Sequence, residues 1–193
     1  MELDAGPVAA GSLAGVRTVS VVGNSGSGKS TLGRALAARL DVPYVELDAI
    51  FHQPNWTPLP NDEFRARVAA IVDGHGWVID GNYSVVRDLV WARSDTVVWL
   101  DPPRRIVMWR IVLRTLRRVA TRQRLWNGNH ERLSNLVTRD AHRNIVLWAW
   151  REHAKYRQRY GAAARDPEFA RLRFVRIGSR RDIETLLANP HAL

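Results

Sequence analysis

Cysteine is absent from all 193 residues, which excludes disulfides and thiolate metal sites and makes a reducing, cytoplasmic setting the expectation. Lysine is nearly absent as well: Lys29 and Lys155 stand against 27 arginines. No apolar run approaches the roughly 20 residues of a membrane span. The start, Met1-Glu2-Leu3-Asp4, has neither the basic nor the apolar region of a secretory signal, so no membrane partner is expected. Acidic charge is scarce in one stretch only. Residues 104–181 hold 21 basic and 5 acidic side chains, a net +16, whereas residues 1–103 net −4. Such a field attracts phosphate on a nucleotide, a nucleic acid or a lipid surface. An arginine bias of this kind can also follow genome composition, so the positions of the charges carry more weight than their number.

What is present suits a globular chain, with 46% hydrophobic and 25% charged residues and a length fit for one core. Residues 1–15 read as a loose tail, 16–188 as a single domain and 189–193 as a second tail. Val16–Val22 is a β-branched strand that stops at Gly23, and a helical pattern follows over Ser30–Leu40. Further strands are expected over 43–48, 77–80, 95–101 and 172–177. Helices are expected over 63–72 with Asn61 or Asp62 as cap, over 84–91, 103–122 and 133–160, and from a Ser179 cap to Leu187. Residues 49–60, with prolines at 54, 58 and 60, are expected to be irregular. On the 103–122 helix, Trp109, Val112, Leu113, Leu116 and Val119 predict a packing stripe, and Arg110, Arg114, Arg117 and Arg118 a cationic one. Strands alternating with helices imply a parallel, doubly wound α/β sheet.

Gly23-Asn24-Ser25-Gly26-Ser27-Gly28-Lys29-Ser30 matches the Walker A pattern and lies between a strand and a helix, where its mechanism needs it. Glycines let the loop curl so that successive N–H groups face a phosphate, and the helix start adds partial positive charge. Residues 23–31, with Thr31 closing the run, are therefore the nucleotide-binding set. Lys29 is placed to bridge the β- and γ-phosphates and Ser30 to ligate Mg²⁺. ATP is the expected cofactor, with GTP left open. A dinucleotide fingerprint has no use for a lysine and a hydroxyl at the helix start.

Asp48, Asp80 and Asp101 each close an expected strand, and in a parallel sheet those ends share one crevice. Asp80, after the apolar run Trp77-Val78-Ile79, is the Walker B candidate for holding Mg²⁺ or its waters. Asp48 can orient an acceptor hydroxyl or act as its base. Asp101, before Pro102-Pro103, reads as a helix-start cap. Trp77, Trp91, Trp99, Trp109 and Trp148 fall on strand or helix faces and are expected in the core. His52, His130 and His142 show no metal-ligand spacing and receive no role.

The strand–loop–helix unit, Asp80-Gly81 followed by Arg87, and Leu100-Asp101-Pro102 before an arginine-bearing helix pair resemble the nucleoside monophosphate kinase group, of which adenylate kinase is the best known. More closely, Leu47-Asp48 with Pro54-x-Trp56, Val78-Ile79-Asp80-Gly81-Asn82-Tyr83 and Leu125-Trp126-Asn127-Gly128-Asn129-x-Glu131 resemble the related DNA topology modulation proteins. The resemblance covers nearly all of 16–188. It implies a three-layer P-loop NTPase with a parallel five-stranded sheet and a helical, arginine-rich lid insertion. It also implies an acceptor segment at 49–60, a lid at 122–135, and a loop for adenine at Gly178-Ser179. Asp48, Trp56, Asn82, Tyr83 and Arg87 become acceptor-side residues. Lys29, Asp48, Arg122, Arg132 and Arg139 become the catalytic set, with Arg124 beside them. Trp56 and Trp126 are placed to stack on a ligand. Adenylate kinases carry Gly-Phe-Pro-Arg where Gly81-Asn82-Tyr83-Ser84 stands here, which argues against AMP as acceptor. Two functions follow: a small-molecule kinase using ATP·Mg²⁺, or a nucleic-acid-associated NTPase that grips DNA through 104–181.

Overall fold

A computed structural model describes residues 17–130 and 145–188. In chain order the elements are β1 (Thr18–Gly23), α1 (Lys29–Leu40), β2 (Tyr44–Glu46), α2 (Leu47–Phe51), α3 (Asn61–Val72), β3 (Trp77–Asp80), α4 (Ser84–Arg93), β4 (Thr96–Leu100), α5 (Arg104–Ala120), α6 (Ile145–Ala163), β5 (Arg173–Ile177) and α7 (Arg180–Ala188). Short 3₁₀ turns occupy Pro54–Trp56, Trp126–Gly128 and Pro167–Phe169. Among the described residues no helix is long and apolar enough to cross a membrane.

The five strands form one parallel sheet in the order β2-β3-β1-β4-β5. Such a sheet is covered on both faces, which is why β1, β3 and β4 read as nearly unbroken β-branched and aromatic runs. Alternate residues of β1 serve opposite faces. Val19 and Val21 join Leu32, Leu36 and Leu186 on one side, and Val22 joins Phe64, Trp91, Trp99 and Tyr160 on the other. The register Val21↔Asp80 and Gly23↔Leu100 brings the carboxyl ends of β1, β3 and β4 to one edge. α7 is preceded by Ser179, whose hydroxyl accepts from Asp182 N while Asp182 accepts from the Gly178 and Ser179 amides, a reciprocal cap.

Several expectations change. The strand expected over 43–48 stops at Glu46, and Asp48 lies on the single turn α2. α3 begins at Asn61 with Pro60 as its cap, so Asn61 and Asp62 lie inside the first turn and cap nothing. Asp101 caps no helix: its carboxylate holds Arg157 and Arg176, pinning α6 and β5 to the end of β4. Trp77, Trp91 and Trp99 are buried, but Trp109 is 64% exposed.

The Trp109 correction follows from which side of α5 packs. Val107, Ile111 and Thr115 form its buried face, and Ile106, Trp109, Leu113 and Leu116 point outward. Period alone favours the stripe with the larger residues. Packing is instead decided by a close approach that only a glycine backbone permits: a Cβ on Gly26 would meet Ile111 Cγ1 at 2.6 Å and Val107 O at 3.0 Å. The tails 1–15 and 189–193, Arg132, Arg139, His142 and the first part of the expected 133–160 helix lie outside the described residues, as does the Trp148 side chain.

Candidate functional site

The loop from Gly23 to Gly28 leaves the central strand and enters α1 without a side-chain cap, so the first amides of that helix stay open to an anion. Gly28, at the entry, has φ +105°, and Gly26 has φ +75°. Both are left-handed conformations that a β-carbon resists, so the glycines of the motif set its curl. Lys29 Nζ donates to Asn24 O at 3.2 Å, folding back over the loop it serves. Among the described residues Ser27 Oγ is buried without a hydrogen-bond partner.

Asn82 ties the loop down. Its Oδ1 accepts from Gly23 N at 3.0 Å and from Tyr160 OH at 3.0 Å, and its Nδ2 donates to Gly23 O. The structure thus places Asn82 on the P-loop backbone. Asn24 performs a similar task from within the loop, donating to Ala149 O of α6 at 2.7 Å and accepting from Ser25 N.

α5 closes the loop from another side. Arg110 Nη1 donates to Ser27 O at 3.1 Å, and Arg114 Nη2 to Ser25 Oγ at 3.2 Å. These two arginines were legible only as members of a cationic stripe. Their i, i+4 spacing gave a common direction and no target. Arg122, two residues past α5, has φ +46°, and Arg124 pairs with His130 through the backbone; both are exposed.

An oxygen-rich cluster sits where α1, β2 and β3 meet. Ser30 Oγ donates to Asp80 Oδ2 at 2.7 Å and lies 3.3 Å from Glu46 Oε1. Tyr44 OH donates to the same Asp80 oxygen at 3.0 Å. Burial, reinforced by the Asp80 charge, raises the Tyr44 phenol, so it stays a donor. Burial also raises the Glu46 carboxyl above its ordinary value. A hydroxyl and one or two carboxylates form an all-oxygen donor set suited to Mg²⁺, which keeps several waters of its own. Thus Ser30 and Asp80 fit the metal role, with Glu46 beside them. Glu46 was not foreseen because the strand was expected to run two residues further.

A second cluster lies beyond β3. Tyr83 OH donates to Asp48 Oδ1 at 2.6 Å and stands 3.4 Å from His52 Nε2. Burial, then the Asp48 charge, pushes the Tyr83 phenol far up, and burial pulls the His52 imidazole down. His52, which sequence spacing left without a role, therefore belongs to this group. A neighbouring cleft is lined by Tyr83, Arg87, Trp91, Arg159 and Tyr160. Arg87 lies over the Trp91 ring at 5.5 Å and Arg159 over Tyr156 at 5.7 Å, leaving both as cations beside aromatic faces. Trp56 and Trp126, from separate loops, meet edge to face at 6.1 Å, with His52 against both.

Fold and loop together define a P-loop protein of the α/β class with kinase-like topology. A family model for shikimate kinase matches residues 25–77, from the P-loop to the start of β3. A shikimate kinase of Nitrobacter winogradskyi is 32% identical over 110 residues, covering 49% of this chain and 51% of that one. One from Bradyrhizobium diazoefficiens is 32% identical over 112 residues, covering 50% and 54%. The chain spans about half the length of the curated relatives it matches. Among solved structures, a gluconokinase from Sinorhizobium meliloti aligns over 91% of this chain and 90% of its own, with TM-score 0.52 and 19% identity. A shikimate kinase from Acinetobacter baumannii in complex with shikimate aligns over 91% of both chains, with TM-score 0.54 and 17% identity. At these identities the structural likeness is one of fold.

Proposed function

We propose that this chain is a small-molecule kinase that transfers the γ-phosphoryl group of ATP·Mg²⁺ to a hydroxyl of a compact acceptor, a hydroxylated acid of the shikimate or sugar-acid kind. The observation that carries the reading is the adjacency of two clusters at one sheet edge: Ser30 on Asp80 beneath the P-loop, and Asp48 on Tyr83 next to it. The first suits a metal-bound nucleotide, with Lys29 and the loop amides holding phosphate. The second suits an acceptor hydroxyl, with Asp48 as orienting group or base. Arg87 and Arg159 offer charge to an acidic group on the acceptor. The similarity of residues 25–77 to shikimate kinases supports both the reaction type and this acceptor class.

A DNA-acting NTPase is the alternative, and its support is the +16 segment. Part of that charge has internal work. Arg157 and Arg176 hold Asp101, Arg171 donates to the Trp91 carbonyl, and Arg110 and Arg114 hold the P-loop. The assay that tests the proposal measures ATP consumption against shikimate, gluconate, other polyols, nucleoside monophosphates and duplex DNA. Turnover dependent on one small hydroxy acid is expected; turnover stimulated only by DNA sinks the proposal.

A further inference from the structure

Two sequence motifs that the proposed chemistry leaves unused, Pro54-x-Trp56 and Trp126-Asn127-Gly128-Asn129, lie against each other in the fold. Each is the tip of a tight hairpin. His52 pairs antiparallel with Pro58 around the first tip, and Arg124 with His130 around the second. Both tips turn on an asparagine in the left-handed region, Asn55 at φ +59° and Asn127 at φ +54°, a conformation asparagine tolerates better than most side chains.

The hydrogen bonds between them come mainly from side-chain amides on backbone. Asn129 is only 4% exposed. Its Nδ2 donates to Gln53 O at 3.0 Å across the contact and to Trp126 O at 2.9 Å within its own loop, while its Oδ1 accepts from Trp56 N at 2.9 Å. Asn127 Nδ2 donates to His52 O at 2.6 Å and lies 3.2 Å from Ala49 O. Trp56 Nε1 returns a bond to His130 O at 3.2 Å. The backbone of residues 49–56 is thus gripped at Ala49, His52, Gln53 and Trp56. Between the two tips the His52 ring stacks on Trp126, 5.8 Å apart and 24° from parallel. Its Nε2 faces Tyr83 OH, which holds Asp48.

We propose that the 122–130 loop is a positioning element for the Asp48–Tyr83–His52 cluster, with Asn129 and Asn127 as the residues that fasten it to the 49–60 segment. The significance of the cluster as an acceptor site rests on the function proposed above; the fastening does not. Because Asn129 is buried with its amide engaged, its loss leaves the Trp56 N–H and the Gln53 carbonyl without partners in a site that water reaches poorly. The two loops then open as one unit, and the fastening is what makes them one.

The test uses the ligand-free full chain, so a wrong functional reading leaves its outcome untouched. Hydrogen exchange is followed at Gln53 and Leu59, whose amides bond to Thr57 O and Phe51 O, and at Leu125 and Gly128, whose amides bond to Asn129 O and Leu125 O. In the wild type all four are expected to show protection within about threefold of one another. Asn129→Ala should lower the protection of both loops by about tenfold or more and leave Val21, Val78 and Val98 in the sheet unchanged. Retained protection at Gln53 and Leu59 in that variant overturns the proposal. Should Asn129→Ala fold poorly, Asn127→Ala, at an exposed position, tests the same pair of loops with a smaller loss. An Asn127→Ala effect confined to 122–130 also overturns it. A second readout follows position directly: the His52 imidazole ¹⁵N shifts should move in Asn127→Ala, and unmoved shifts count against the proposal.

Discussion

Ser30 Oγ lies 2.7 Å from Asp80 Oδ2, joining the first turn of α1 to the end of β3 at the point proposed above for a nucleotide-bound Mg²⁺. Asp80→Asn keeps the shape and removes the charge. A raised Mg²⁺ requirement for turnover is expected, with nucleotide affinity in the absence of metal nearly unchanged. Asp48→Asn should act differently, lowering acceptor-dependent kcat by roughly 10²- to 10⁴-fold, the range for losing a general base, and sparing nucleotide·Mg²⁺ binding. Equal weakening of nucleotide·Mg²⁺ binding by both substitutions would contradict this division.

Lys29→Met removes a cation whose protein contact is the Asn24 carbonyl of its own loop. Turnover should fall by a factor of roughly 10² or more, the scale for a donor acting on transition-state charge. Thermal stability should change little, since no core contact is lost. Unchanged turnover in a pure preparation would remove the P-loop from the chemistry.

Arg110 and Arg114 touch the P-loop, whereas Arg122 and Arg124 are exposed on the 122–130 loop. Single alanine substitutions of the first pair should raise KM for the nucleotide and lower kcat. Substitutions of Arg122 and Arg124 should lower kcat by roughly ten to a thousandfold only if these side chains reach the transferring phosphoryl group. A DNA grip predicts instead that each neutralisation reduces the salt slope of DNA binding by about one and spares turnover. The same four variants, assayed both ways, separate the two functions.

His52 gives the cluster a pH signature. Burial depresses its folded pKa below the unfolded value of about 6.5, so the unfolded chain binds more protons in that window. Stability should therefore fall as pH is lowered from about 7.5 through 6.5 toward the depressed folded value, and the loss should level off below it. Glu46, raised by burial, has the opposite sign in a window that starts near its ordinary value and extends upward. Comparing Tm against pH for wild type and His52→Gln isolates the imidazole. Parallel curves would show that its burial has no energetic weight.

Trp99 and Trp109 share a residue type and differ in place: one is buried on β4, and the other is 64% exposed on α5. Trp99→Ala should cost about 3–5 kcal/mol, as large core truncations do. Trp109→Gln should stay within about 0.5 kcal/mol of wild type by chemical denaturation, the range for exposed sites. A large stability loss at Trp109 would mean that its outer face is covered in solution.

The sheet was legible because its information is local. β-branched runs, the glycine loop and strand-end aspartates each announce themselves within a few residues. The placement of Lys29, Ser30 and Asp80 at one edge came with it, since a loop after the first strand and an acid after an adjacent one must share an edge. The side of α5 that packs was not legible, because the deciding contact, Ile111 on Gly26, spans 85 residues and depends on a missing side chain. The same holds for Asn82 on Gly23 and Asn129 on Trp56. A side-chain amide bonding to backbone leaves no periodicity and demands no particular partner residue. Glu46 was missed for a smaller reason, the early end of β2, which moved Asp48 onto a turn and left the strand-end position to its neighbour.

The 2.7 Å bond from Asn24 to the Ala149 carbonyl sets an order on biosynthesis. A nascent chain that has released every residue of the Walker sequence and the whole of α5 still lacks the α6 carbonyl that orients the second residue of the loop, and it lacks Tyr160 on Asn82. Nucleotide should bind such an intermediate more weakly than the complete chain. Competence to bind should arrive late and abruptly, once α6 has emerged and docked, and ribosome-stalled chains of graded length would display that step.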